Sequence, residues 1–280
     1  MKKLTIFCDG GLGNRLGVLI GGMLTSNKLK RMPILCWPEN SWCGCSFTDL
    51  FHNEYELINL NINELFNQNK YNTFLIHENQ TDLQINHCYP SLENVESLKN
   101  NNDENIIYYH NSLPDYYNQE QVLSILSIFR VKNEIKNILE EFCNQNVIDL
   151  KTFGIHLRKT DFINFINEEE SFKYIESKPN VKFFICSDSS ETEEKFLTLS
   201  NVFAYKKKYY VEKLKEGDWN DLIVDTEGRR FNFNVNRSRE SVKEAFIDLL
   251  ILSRTNIITQ SHSSFLNFAK LYKNIPIKNL

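Results

Sequence analysis

At 280 residues, 41% hydrophobic and 24% charged, the chain carries enough apolar material for one large or two ordinary folded domains, which excludes global disorder. A formal charge of -4 and a pI near 5.9 exclude a bulk nucleic-acid binder, because phosphate backbones recruit proteins through concentrated positive charge. No stretch reaches the roughly 18 apolar residues that a helical membrane span requires, and Leu4-Thr5-Ile6-Phe7-Cys8 is too short for a signal peptide.

A soluble, cytoplasmic protein is therefore expected. The seven cysteines point the same way: they are odd in number, and several lie in apolar runs where cysteine acts as a small buried hydrophobe. Cys43-Gly44-Cys45 with nearby His52 offers metal-binding residue types, but the C-x-C spacing is followed by no second pair, and no metal is predicted.

In chain order, Leu4 to Cys8 reads as a strand, Asp9-Gly10-Gly11-Leu12-Gly13-Asn14-Arg15 as a glycine loop, and Leu16 to Leu29 as a helix. Pro33 to Trp37 supplies a second strand, so the opening is a βαβ unit and implies a parallel sheet. Between Ser41 and Asn105 the signals are mixed, with short elements at Phe47 to Leu50 and Asn72 to His77. The tract Asn100-Asn101-Asn102-Asp103 reads as an exposed connection of low complexity. Gln119 to Phe129 and Asn133 to Cys143 are amphipathic helices that lead to a strand at Phe153, with a domain boundary near residues 130 to 150.

The second half repeats the α/β alternation. Val181 to Cys186 is a strand, Glu191 to Leu199 a helix with capping residues and early carboxylates, and Asn201 to Tyr205 another strand. Gly217 to Asn236 is irregular and long enough to be a mobile active-site loop. Ser241 to Arg254 is an apolar helix, Asn256 to Thr259 a strand and Ser263 to Tyr272 a final helix.

Four segments carry chemistry. His156-Leu157-Arg158-Lys159-Thr160-Asp161 delivers a ring donor, a guanidinium fork, an ammonium and a carboxylate to the end of a strand, a set suited to a phosphorylated ligand. Asp188 follows a second strand. Ser263-Ser264-Phe265 opens a helix whose free N–H groups attract anions. The glycine loop approaches a dinucleotide fingerprint, with Glu39 where a ribose-binding acid would lie, but Leu16 stands where the third glycine belongs, so NAD binding is not supported. Asn14 and Arg15 remain as polar donors at the start of an otherwise apolar helix.

These segments resemble the fucosyltransferase superfamily that includes the rhizobial chitooligosaccharide fucosyltransferases, the α1,6-fucosyltransferases and the protein O-fucosyltransferases. The resemblance runs through Gly10 to Leu16, His156 to Asp161 as a His-x-Arg-Arg-x-Asp type motif, Ser187-Asp188, Asp248, and Ser263-Ser264-Phe265. It implies a GT-B architecture of two Rossmann-like domains facing a cleft, residues 1–140 on the acceptor side and 141–280 holding GDP-fucose. It further implies inverting, metal-independent transfer of fucose to a hydroxyl of a glycan acceptor.

Under that resemblance Arg158 meets the β-phosphate and His156 approaches the ribose and guanine. Asp248 accepts from the guanine N–H groups, Ser263 and Ser264 hold the diphosphate, Phe265 packs beside it, and Asp188 lines the donor pocket. Gly11, Gly13, Asn14 and Arg15 form the loop toward the reacting sugar. Lys159 departs from the family's second arginine: it keeps the charge and loses the fork. Asp9 and Asp161 are the candidates for general base, while Asp161 could equally orient Arg158. Glu168 to Glu170 read as a solvated helix face. Competing readings are a transferase of the same fold using another nucleotide sugar, and a nucleotide-sugar or glycan-binding module without transfer.

Overall fold

Two parallel sheets, each built outward in both directions from a central strand, organise the chain in a computed structural model that describes residues 1–67, 73–76, 87–88, 90–110, 113–160, 167–224, 230–231, 233–259 and 263–280. One unit comprises Met1–Glu39, Ser46–Val131 and Asn279–Leu280; the other comprises Asn40–Cys45 and Lys132–Lys278. The helix Asn133–Gln145, which the boundary drawn at residue 140 would cut, lies whole in the second unit.

In the first unit the order is β1 (Lys3–Phe7), α1 (Leu12–Leu29), β2 (Met32–Cys36), α2 (Phe47–Leu50), β3 (Glu56–Ile58), α3 (Ile62–Asn67), β4 (Thr73–Ile76), β5 (His87–Cys88), α4 (Leu92–Ser97), β6 (Asn105–Tyr109) and α5 (Gln119–Leu126). The strands pair in parallel in the order β3-β2-β1-β6-β4-β5. The chain winds from β1 to β3 on one side and returns on the other, so the loop after β1 occupies the switch point where such sheets bind ligands. Phe7, Cys36, Ile62, Leu65, Ile107 and Tyr109 form a core cluster in this unit.

The helix α1 begins at Leu12, four residues earlier than the apolar periodicity suggested, because Gly10 takes φ +83 and turns the chain sharply enough for Gly11 to serve as N-cap. The asparagine tract is also more ordered than its composition indicates. Buried Arg31 donates to the carbonyls of Lys3 (3.2 Å), Asp103 (2.8 Å) and Asn101 (3.0 Å) and to Asn101 Oδ1 (3.1 Å), and so ties the tract to the start of β1.

The second unit runs α6 (Asn133–Gln145), β7 (Phe153–Leu157), α7 (Glu168–Glu176), β8 (Phe183–Ser187), α8 (Ser190–Phe196), β9 (Val202–Phe203), β10 (Ile223–Val224), β11 (Arg230–Phe231), α9 (Arg239–Leu252), β12 (Asn256–Ile257) and α10 (Ser264–Tyr272). Its main sheet is parallel in the order β12-β7-β8-β9, and β10 and β11 form a separate antiparallel pair. Alternation along β7 places Ile155 and Leu157 in a cluster with Ile175, Phe183, Ile185, Phe196 and Val202, which leaves Gly154 and His156 for the opposite face. A Cβ at Gly154 would overlap the Thr255 hydroxyl and press on Leu252, so glycine there lets the end of α9 lie directly on the strand.

The stretch expected as a mobile loop is pinned where it is described. Fully buried Asn234 accepts from the N–H groups of Leu214 (2.9 Å) and Lys215 (3.1 Å) and donates to the carbonyls of Lys215 (2.8 Å) and Trp219 (2.7 Å). Glu212 and Asn236 exchange two backbone hydrogen bonds beside it. Residues 225–229 and 232 lie outside the described residues.

Candidate active site at the carboxyl edge of the second sheet

Because β12, β7 and β8 are parallel neighbours, their carboxyl ends emerge along one edge, and the three segments singled out in the sequence leave from it: Thr259 onward after β12, Arg158 to Thr160 after β7, and Asp188 after β8. The His156 N–H donates to Thr259 Oγ1 (2.9 Å), extending the β7–β12 pairing by one side-chain bond. The His156 ring stacks on Phe265 with centroids 4.6 Å apart and planes 20° from parallel. Phe265 belongs to the first turn of α10, so this stack brings the motif and the helix start together.

Burial lowers the His156 pKa from 6.5 to about 3, with the charges of Arg158 and Lys207 adding to the effect, so the ring is neutral at physiological pH. A neutral imidazole offers one donor and one acceptor. Arg158 is half-buried. Ser263 is the N-cap of α10, yet its side chain makes no capping hydrogen bond, and Ser264 is the first helical residue. The His156–Phe265 stack thus sets the end of the motif strand against the positive end of a nine-residue helix, a place that favours an anion.

Asp188 stands at the expected strand end but spends its carboxylate on the neighbouring loop. It accepts from the Lys159 N–H (2.6 Å), the Thr160 hydroxyl (2.6 Å) and the Thr160 N–H (3.4 Å). Such bonds fix the backbone that carries Arg158. Lys159 turns its ammonium to Glu168 Oε2 (2.6 Å), and Glu168 also meets Lys195 (2.8 Å). Hydrogen bonds from Lys159 and Lys195 lower the Glu168 pKa, and the reading of this glutamate as part of a solvated face is corrected accordingly. Asp161 lies outside the described residues.

Asp248, from α9, is 3% exposed. Its Oδ2 accepts from Lys207, and the same ammonium is hydrogen-bonded to Glu193 Oε1. Glu193 further accepts from the Ser187 N–H (2.7 Å) and the Tyr210 hydroxyl (2.7 Å). Asp248 Oδ1 is closed off from water and has no hydrogen-bond partner, a condition that costs about 1–3 kcal/mol or more for a charged group. Burial raises the Asp248 pKa from 3.8 to about 7; Lys207 opposes this and Glu193 adds to it. Burial also works against the charge on Lys207, but Asp248 and Glu193 outweigh it and hold the ammonium protonated.

Asn14 lies in the first turn of α1, and a Cβ at Gly10 would meet its Cβ at 3.3 Å. Gly13 is buried in the same turn. Arg15, expected to face a ligand, is instead fully buried. Its Nε donates to the Gly10 carbonyl (2.7 Å), one terminal nitrogen donates to the Pro38 carbonyl (2.6 Å), the other lies 3.8 Å from Asp9, and the guanidinium covers Trp37 at 5.2 Å. Trp37 is itself buried, its ring packed edge-on against Phe47. Buried Cys43 and Cys45 hold their sulfurs 3.7 Å apart, and among the described residues no group of three or more His, Cys, Asp or Glu side chains is arranged for a metal ion.

No protein-family model matches the sequence, and no curated protein matches it. Solved structures match through the fold. A fucosyltransferase NodZ from Bradyrhizobium aligns with a TM-score of 0.60 at 15% identity, over 96% of this chain and 92% of that one. NodZ α-1,6-fucosyltransferase soaked with GDP-fucose aligns at 0.58 and 16%, over 97% and 92%. POFUT1 in complex with GDP-fucose aligns at 0.53 and 12%, over 97% and 95%. The chain has the GT-B-like fold of these fucosyltransferases.

Within this GT-B-like fold the sequence located the residues at the strand ends but missed Lys207, Glu193, Tyr210 and the pairing of Glu168 with Lys159. Lys207 is the middle of Lys206-Lys207-Lys208, a run that reads as solvated, and Glu193 follows a capping serine where an early acid is ordinary. No sequence signal separates the one buried lysine from its neighbours. Among the described residues no helix is long and apolar enough to cross a membrane.

Proposed function

We propose that the protein is an inverting, metal-independent glycosyltransferase that moves fucose from GDP-fucose to a hydroxyl of a glycan acceptor, with the donor held by the second unit and the acceptor served by the first. The observation that carries the reading is the convergence of Arg158, neutral His156 stacked on Phe265, and the start of α10 at one sheet edge. It is supported by the likeness of fold to enzymes solved with GDP-fucose.

In the proposed reaction an acceptor hydroxyl attacks the anomeric carbon from the face opposite the diphosphate. The bond from that carbon to the β-phosphate oxygen breaks, and the electron pair leaves with GDP. Arg158, assisted by the N–H groups of α10 and by Ser263 and Ser264, stabilises the charge that grows on the diphosphate; fixed donors of this kind act strongly because they need no reorganisation as charge develops. Neutral His156 serves the ribose side as a hydrogen-bonding group without adding a second cation. Asp248 receives the guanine donors, and Asp188 and Thr160 hold the loop bearing Arg158. Asn14 is assigned to the reacting sugar, and Asp9 or Asp161 takes the acceptor proton.

The test is incubation with GDP-fucose and a panel of glycans, read by mass spectrometry. A deoxyhexose increment on an acceptor is the expected result. Stabilisation by UDP in preference to GDP would replace fucose with another nucleotide sugar, and GDP-fucose binding with neither transfer nor donor hydrolysis would reduce the protein to a binding module.

A further inference from the structure

Glu193, Lys207, Asp248 and Tyr210 form a buried charged cluster beneath the candidate site, in which one cation serves two carboxylates. The ammonium holds Asp248 by one oxygen, and the other oxygen is closed off from water and unpartnered. A purely structural ion pair of this burial would be expected to satisfy both oxygens, since an orphaned buried acceptor is costly. We propose that Lys207 is a positioning residue for nucleobase recognition: shared with Glu193, it favours the charged form of the Asp248 carboxylate and holds it turned so that the vacant oxygen takes the N–H donors of a guanine-type base. This rests on the donor-site reading above and names the device that sets its base selectivity. Because the vacant oxygen is enclosed, the base reaches it by displacing the side chains that cover it, and recognition is coupled to a local opening.

The charged and titratable groups that act on Asp248 come from α9 itself, α8, β8 and the segment after β9. They are Glu244 on α9 itself, Glu193 on α8, Cys186 on β8, and Tyr205, Lys207 and Tyr210 on the segment after β9; His156 on β7 lies in the field of Lys207. Two of them act on the carboxylate in opposite directions: Lys207 favours its charge and Glu193 disfavours it. That opposition supplies a test which a merely structural role would not pass.

Measure the affinity for GDP by titration calorimetry from about pH 5.5 to about pH 8.5 in the wild type, Lys207→Met and Glu193→Gln, with folding checked by near-ultraviolet circular dichroism. In the wild type affinity should rise as pH passes about 7, as Asp248 ionises. Lys207→Met should move that rise to higher pH by about one unit or more and weaken binding at neutral pH about tenfold, whereas Glu193→Gln should move it to lower pH. The ionisation of GDP itself is common to all three proteins and cancels in the comparison. Should Lys207→Met fail to fold, the downward displacement in Glu193→Gln still decides. Superimposable profiles in the folded variants would overturn the inference while leaving GDP binding intact; a wild type that does not bind GDP would remove the donor-site reading and this inference with it.

Discussion

Two parallel strands of this chain, β1 and β7, are each followed by an arginine, the first in the opening turn of α1 and the second directly at the strand end, and the surroundings of the two differ. After β1, Arg15 is fully buried and its guanidinium is committed to the carbonyls of Gly10 and Pro38. After β7, Arg158 is half-buried, and the backbone beneath it is held instead by Asp188 and by the Thr259 hydroxyl. Where an arginine does not brace its own segment, other groups must hold the backbone that carries it. In the first unit the arginine is the brace; in the second, a carboxylate and two threonines brace the arginine.

The contrast is broken most directly by exchanging each arginine for a neutral residue. Arg158→Ala should leave the fold intact and lower turnover by about 10²–10³-fold in a transfer assay, the usual cost of losing a donor aimed at developing charge. Arg15→Met should do the reverse: urea denaturation should show a loss of about 3 kcal/mol from buried carbonyls left without donors. A folded Arg158→Ala protein with near-normal turnover would remove the assigned role.

The neutral ring beside Arg158 sharpens the comparison through pH. His156 has its pKa lowered from 6.5 to about 3, so the unfolded chain binds a proton that the folded chain refuses, and stability should fall as pH drops through that window. The slope is at most about 1.4 kcal/mol per pH unit. Asp248, raised to about 7, contributes with the opposite sign between about 7 and 3.8. The informative quantity is therefore the difference between wild type and His156→Asn in chemical denaturation at several pH values, in which the acid-side loss should vanish from the variant. The smallest effect belongs to Lys159. Its ion pair with Glu168 is partly exposed, and Lys159→Met should cost less than about 1 kcal/mol of stability and far less activity than Arg158→Ala.

The parallel α/β class was legible because glycine turns and short apolar runs recur at regular intervals, and the positions of Arg158, Asp188 and Ser263 at strand ends or a helix start followed from that alternation. Side-chain direction was not legible. Arg15 and Arg158 each follow an apolar run, and only the partners around them, Pro38 and Gly10 in one case and the Asp188-held loop in the other, determine which one is enclosed. The Lys207 cluster was hidden for a related reason: its members come from α8, α9 and the segment after β9, and no local pattern joins residues 193, 207 and 248. Composition misled at the asparagine tract, where Arg31 imposes order from about seventy residues away in sequence.

That clamp has a practical side. A run of asparagines between elements looks like a natural place for an affinity tag, a spacer or a protease site, since loop tips ordinarily tolerate such changes. Here a single extra residue between Asn101 and Asp103 would pull acceptors away from an enclosed guanidinium and loosen the entry to β1, the strand on which the whole first sheet is wound. Engineering of this protein should treat positions 101 to 103 as framework, however much they look like filler.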